Sequence, residues 1–185
     1  MILWLTGLPC SGKTTIGSAL VTLLKESGHK SELLDGDVVR RELWPELGFS
    51  RADRDENVRR LGMIAGTVSR QGIAVVSAVS PYRSSRELVR RNCAEPFIEV
   101  YVNAPLAVCE RRDVKGMYAK ARAGEIPIFT GVSDPYEPPM NPDVECRTDL
   151  ESVDYAVTRI MREIEERLRT PIPARTYFTG AGDGV

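Results

Sequence analysis

The chain has 185 residues, 42% of them hydrophobic and 28% charged, which suits one folded domain with a proper core and gives no reason to divide it. A formal net charge of −1 excludes an electrostatic grip on long nucleic acid, which needs an excess of Lys and Arg. No apolar run approaches the ~18 residues of a membrane span. The apolar start at residues 1–5 is too short for a secretory leader. Four scattered cysteines without a C-x-x-C pair, beside one histidine, argue against a zinc site and for free thiols in a reducing compartment, so a cytoplasmic protein is expected.

Taken in chain order, short apolar runs alternate with helical patterns. Residues 2–5 read as a strand, and a glycine loop follows at residues 7–14. Ile16, Ala19, Leu20, Leu23 and Leu24 then form a helical stripe, which Gly28 stops. Residues 31–34 read as a second strand ending on Asp35-Gly36-Asp37. Val58, Leu61, Ile64, Ala65 and Val68 mark a further helix, and residues 73–77 and 97–102 two further strands. Residues 112–143, rich in Lys, Arg, Gly and Pro, break the rhythm with only a short helical pattern at 117–123; so long an irregular stretch predicts a lid or binding loop. A weak strand at 144–147 precedes the cleanest stripe of all, Val153, Ala156, Val157, Ile160, Met161, Ile164 and Leu168.

This alternation predicts an α/β fold of three layers, with a doubly wound, mainly parallel sheet of about five strands. The expected organisation is one domain over residues 1–170, with the lid at about 112–143. A tail over 171–185 is expected to be flexible at its end. Ligands of such sheets bind beyond the carboxyl ends of the strands.

Gly7-Leu8-Pro9-Cys10-Ser11-Gly12-Lys13-Thr14 fits G-x-x-x-x-G-K-[ST], between an apolar strand and an amphipathic helix. Glycines let the backbone N–H groups turn inward around phosphate oxygens, and the helix N-terminus adds positive potential. In such a P-loop Lys13 neutralises the β- and γ-phosphates of ATP, and the Thr14 hydroxyl ligates magnesium; Thr15 completes the nucleotide contacts. Asp35 and Asp37 lie at the same sheet edge. Their carboxylates suit a magnesium ion and an attacking hydroxyl, though an Asp-Gly turn serving only its own geometry accounts for them equally well. Arg54 and Asn57 share a helix face, and with Arg40 they form either an anion clamp or a solvated, self-paired surface. Phe49 is either a stacking platform or a core anchor.

These blocks resemble the adenylyl-sulfate kinases over nearly the whole chain. The resemblance rests on Leu34-Asp35-Gly36-Asp37 with Arg40, on Gly48-Phe49-Ser50 with Asp53-Arg54 and Glu56-Asn57, and on Ser80-Pro81-Tyr82-Arg83. It continues through Cys109, Arg112 to Gly116 and Tyr118 to Arg122, then Phe129-Thr130-Gly131 and Asp134 to Pro139. It implies a P-loop NTPase-type fold and an enzyme that uses ATP and Mg2+ to phosphorylate the 3′-hydroxyl of adenylyl sulfate. It further implies that Arg40, Arg54 and Asn57 hold the phosphosulfate, and that Phe49 and Phe129 sandwich the adenine. Asp35 and Asp37 serve magnesium and the 3′-hydroxyl, in an order left open. Ser80 is a site residue, Lys115 attends the transferring phosphate or the substrate, and Arg112 lies near the ATP base. A homodimer is implied too, with ATP sulfurylase as a candidate associate. Pro9, Cys10, Val38 and Trp44-Pro45 depart from the family pattern, and Pro9 removes one amide donor from the loop. Two other readings share the loop: a kinase of a nucleoside monophosphate, sugar or shikimate, and a non-catalytic nucleotide-binding regulator.

Overall fold

The computed structural model describes residues 1–169, so the tail assigned to 171–185 lies outside the described residues. Strand β1 (Ile2–Thr6) is buried from end to end. Its side chains alternate between two apolar layers, with Leu3 and Leu5 in one and Ile2 and Trp4 in the other. Around it lie β2 (Ser31–Asp35), β3 (Ile73–Ser77), β4 (Phe97–Asn103) and β5 (Val144–Arg147), in the order β2-β3-β1-β4-β5 and all parallel. The chain runs to one side of β1 for β2 and β3, and to the other for β4 and β5. The crossovers therefore diverge at the carboxyl end of β1, where such sheets open a crevice.

Helix α1 (Lys13–Glu26) and the last helix cover one face. Ile16, Leu20 and Leu24 meet Ala156, Val157, Ile160 and Ile164 above Val75, Ile98 and Val100. α2 (Gly36–Leu43) follows β2 directly, and its N-cap Asp35 accepts from the amides of Asp37 and Val38. α3 (Arg51–Ser69) starts at Ser50, whose hydroxyl accepts from the Asp53 amide. With α4 (Arg83–Asn92) it covers the other face through Val58, Leu61, Ala65 and Val89. α5 (Leu106–Arg112) and α6 (Met117–Arg122) belong to the segment after β4, and α7 (Val153–Arg169) ends the described chain. Every expected strand is present within one residue at each end. The helices α2 and α4 went unread because they are short and polar, α4 burying only Ser85, Arg86 and Val89, and α5 because its seven residues are too few to show a period.

The segment after β4 has a small core of its own. Ala104, Cys109, Tyr118, Ala121 and Phe129 pack together, and the Tyr118 and Phe129 rings meet edge to face at 4.9 Å. Arg86 joins this region to the sheet although only 2% of it is exposed. Its guanidinium donates to Glu99 Oε1 at 2.8 Å and to the carbonyls of Ser80 and Glu137 at 2.7 Å each. Removing one partner of such a buried, fully bonded pair leaves the other charge stranded. Arg86→Ala should therefore lower the unfolding free energy by about 3–5 kcal/mol. Urea denaturation measures it, and a loss under 1 kcal/mol would show that the network carries no such weight.

Candidate active site

The loop between β1 and α1 is shaped by two glycines. A Cβ on Gly7 would lie 2.3 Å from the Val102 carbonyl oxygen, and Gly12 has φ of 104° at the helix cap. Cys10 takes a left-handed φ of 60°, a conformation that strains a non-glycine residue and that concentrates at ligand-binding loops. Lys13 folds back over the loop, and its Nζ donates to the carbonyls of Gly7 at 3.0 Å and Leu8 at 2.7 Å. Burial pushes this ammonium down to about 8, against the pull of the Asp37 carboxylate.

The loop opens on a cavity of about 960 Å³ at the carboxyl edge of the sheet. Pro9, Cys10, Gly12, Lys13, Thr14 and Thr15 line its floor, whereas Gly7, Leu8 and Ser11 stand behind it. Asp35, Asp37, Arg40, Phe49, Arg54, Asn57 and Ser80 line one side, with Arg112, Lys115 and Phe129 reaching over from the segment beyond β4. Apart from Gly7, Leu8 and Ser11, the residues singled out in the sequence converge on one space although they are spread over 121 positions, from Pro9 to Phe129.

Thr14 Oγ1 donates to Asp35 Oδ2 at 2.9 Å and lies 3.2 Å from Ser77 Oγ. This all-oxygen donor set, adjacent to the phosphate cradle, fits magnesium, which takes one or two protein oxygens with phosphates and water. Among the described residues no group of three His, Cys, Asp or Glu side chains forms a closed metal cage. Asp37 stands apart from that pair and is bridged by Lys115 Nζ at 3.0 Å.

Arg40 lies 4.3 Å from the Phe49 ring centroid, and its Nη2 donates to the carbonyls of Leu47 and Gly48. Burial, and after it the Arg54 cation, pushes Arg40 below the usual guanidinium value. Two crowded cations on a cavity wall are relieved by an anion. Arg54 is tied across to the segment beyond β4, donating to Thr130 Oγ1 at 2.7 Å and standing 3.7 Å from Asp134. Phe49 is 57% exposed at the rim while Phe129 is 8% exposed against Tyr118, so the two rings bound the cavity from unlike environments.

Ser80 lines the cavity with its hydroxyl already engaged. Its hydroxyl accepts from Trp4 Nε1 and donates to Thr6 Oγ1, each at 3.0 Å, and its φ of 39° is left-handed. Sequence reasoning passed over Thr148 and quoted Tyr118 only within a family block, with no role at the site. Thr148 Oγ1 donates to the Ser11 carbonyl at 2.7 Å and accepts from Arg112 at 3.0 Å, while the Tyr118 hydroxyl donates to the Pro9 carbonyl at 3.0 Å. Thr148 follows directly on β5 at the ligand edge of the sheet, and that position alone would have found it.

A phosphate loop, an oxygen site beside it, a cationic wall and an overhanging segment define a P-loop phosphotransferase of the small-molecule kinase class. The family model described as adenylylsulphate kinase matches residues 1–147. An adenylyl-sulfate kinase of Rippkaea orientalis is 58% identical over 165 residues, 89% of this chain and 91% of that protein. The chain belongs to the adenylyl-sulfate kinase family. Its fold superposes on the Mycobacterium tuberculosis APS kinase solved with AMPPNP and APS, with a TM-score of 0.85 and 43% identity over 89% of this chain and 96% of that one. A hexameric APS kinase from Thiobacillus denitrificans matches at a TM-score of 0.67 and 32% identity, over 93% of this chain and 30% of that one.

The depressed Lys13 has a measurable consequence. In the free protein its proton leaves as the pH rises through about 8, whereas a bound triphosphate favours the charged form. The penalty of burying the charge on folding is full below that pH and fades above it, and nucleotide affinity is likewise full below that pH and falls above it. Calorimetric titration with a magnesium nucleotide at pH 8.5, in buffers of different ionisation enthalpy, should show uptake of roughly 0.8 proton per site, against little at pH 7. Equal heats in all buffers at pH 8.5 would contradict the shift.

Proposed function

We propose that the protein transfers the γ-phosphoryl group of ATP to the 3′-hydroxyl of adenylyl sulfate, giving 3′-phosphoadenylyl sulfate and ADP. The observation that carries this reading is the wall of Arg40, Arg54 and Asn57 sharing one cavity with the phosphate loop and Asp37. A bond forms between the 3′-oxygen and the γ-phosphorus, and the bond to the β,γ-bridging oxygen breaks. The loop amides and Lys13 hold the charge of the triphosphate, the electrostatic work that dominates phosphoryl transfer. Thr14 and Asp35 would hold a magnesium ion, which would supply neutralisation of phosphate charge when bound.

Asp35 has its oxygens engaged by Thr14 and by the first amides of α2, which suits it to the metal side. Asp37 then takes the proton of the 3′-hydroxyl, a contribution of roughly 10²–10⁴ in rate. Lys115, its ion-pair partner, is available to the transferring phosphate once substrate separates them. Ser80 keeps the wall in shape rather than reacting, since both roles of its hydroxyl are taken by Trp4 and Thr6. Phe49 and Phe129 bracket the adenine of the acceptor, a stacking worth about 1–3 kcal/mol per base in nucleic-acid systems.

Arg112 braces the loop from the nucleotide-base side, donating to Thr148 and to the loop carbonyls. The segment at about 112–143 acts as a lid on the single domain and keeps water from the γ-phosphate. We read the working assembly as a homodimer in the cytoplasm, with ATP sulfurylase as a candidate associate. Among the described residues no helix is long and apolar enough to cross a membrane.

A coupled assay of ADP release with ATP, magnesium and adenylyl sulfate, beside AMP and shikimate, tests the reaction; the product is identified by mass spectrometry. ADP release that ignores adenylyl sulfate would sink the assignment and move the search to other acceptors. Arg54→Ala should raise the KM for adenylyl sulfate by about 10- to 100-fold, the worth of a charge-assisted hydrogen bond, with the KM for ATP little changed. Equal losses for both substrates would reject the role given to Arg54. Lys13→Ala should abolish turnover in a folded protein, and near-normal turnover would refute the nucleotide role of the loop.

A further inference from the structure

Trp44 stands where the family pattern has a polar residue, and its surroundings give it a task. It caps the C-terminal end of α2, immediately before Pro45, which discourages the helix from continuing. The side chain is 6% exposed and does not line the cavity, whereas Pro45 and Asn57 on either side of it do. Its indole Nε1 donates to Asn57 Oδ1 at 2.7 Å. Arg60 lies over the ring at 5.8 Å and is itself held by Glu46 at 2.6 Å and Glu56 at 2.7 Å, so the indole is covered from the solvent side.

An indole N–H donates and never accepts, so it settles which way the Asn57 amide turns. The carbonyl oxygen faces Trp44 and the NH2 group faces away. Among the described residues that NH2 group has no protein acceptor, and its residue shares the cavity wall with Arg40 and Arg54. An amide free to rotate would present its oxygen to an anion for part of the time; this one presents only donors.

We propose that Trp44 is a positioning residue that acts through Asn57, fixing its amide as a donor toward the phosphosulfate of the acceptor substrate. This rests on the reading of Asn57 as a substrate-binding residue. The indole also joins the end of α2, which carries Arg40, to α3, which carries Arg54 and Asn57, so one bond sets the spacing of all three donors.

The test compares Trp44→Phe, which keeps an aromatic ring and loses the N–H, with Asn57→Ala and the double variant, in steady-state kinetics and thermal melting. Trp44→Phe should raise the KM for adenylyl sulfate about three- to tenfold, the worth of one hydrogen bond, without matching changes in kcat or in the KM for ATP. In the Asn57→Ala background the same change should add less than about twofold, because the two residues act as one unit. An unchanged KM for adenylyl sulfate, or full additivity in the double variant, overturns the proposal. Equal rises in both KM values with a lower melting temperature mark a structural role and overturn it too. If the unaltered enzyme does not turn over adenylyl sulfate, the functional reading itself fails, a result distinct from every outcome above.

Discussion

The backbone of Gly7 runs so close to β4 that a Cβ there would sit 2.3 Å from the carbonyl oxygen of Val102. That approach fixes the phosphate loop at the point where the crossovers of the sheet diverge, and the rest of the molecule is arranged around it. Lys13 can fold back onto the Gly7 and Leu8 carbonyls only because the loop turns this tightly. Thr148 and Arg112 clasp the loop from the β5 side and Tyr118 from the side of the overhanging segment. Backbone groups held by this many independent contacts need little reorganisation when a triphosphate arrives, which is how fixed dipoles become catalytic.

Charge is distributed with the same economy. With a formal net charge of −1, the chain offers no general attraction for anions, so its affinity for phosphates and sulfates has to be local. On one partly buried wall Arg40 and Arg54 crowd one another, a state that any bound anion would relieve. The segment beyond β4 is latched to that wall by Arg54 with Thr130 and by Lys115 with Asp37. The second contact is exposed and weak as a structural bond. An exposed latch is easily exchanged for contacts with substrate.

Strands and long helices were legible in the sequence because their apolar periodicity records burial directly. β1 and β3 are apolar runs covered on both faces, β4 alternates with Ile98, Val100 and Val102 in the core, and α7 carries an unbroken stripe. α2 and α4 carry little such signal; they bury few apolar side chains and are held by caps and ion pairs instead. At the site, the phosphate loop follows from its own local pattern of glycines, lysine and threonine. Arg40, Arg54 and Asn57 carry no such pattern: spacing left an anion clamp and a self-paired surface both open, and family resemblance chose between them. The inward-turned hydroxyl of Ser80 and the hold of Trp44 on Asn57 depend on side-chain direction across elements, which neither periodicity nor motif encodes.

The two tryptophans of this chain sit in unlike places. Trp4 is fully enclosed in the sheet, stacked at 6.0 Å on Phe97, and its Nε1 donates to Ser80, a residue of the cavity wall. Trp44 is bonded to a residue on the wall of the substrate cavity. Each indole N–H is thus tied to the wall of the cavity, Trp4 from the sheet and Trp44 from the end of α2. The near-ultraviolet emission of the protein therefore reports on two parts of that wall, without a label attached to the enzyme or to a ligand.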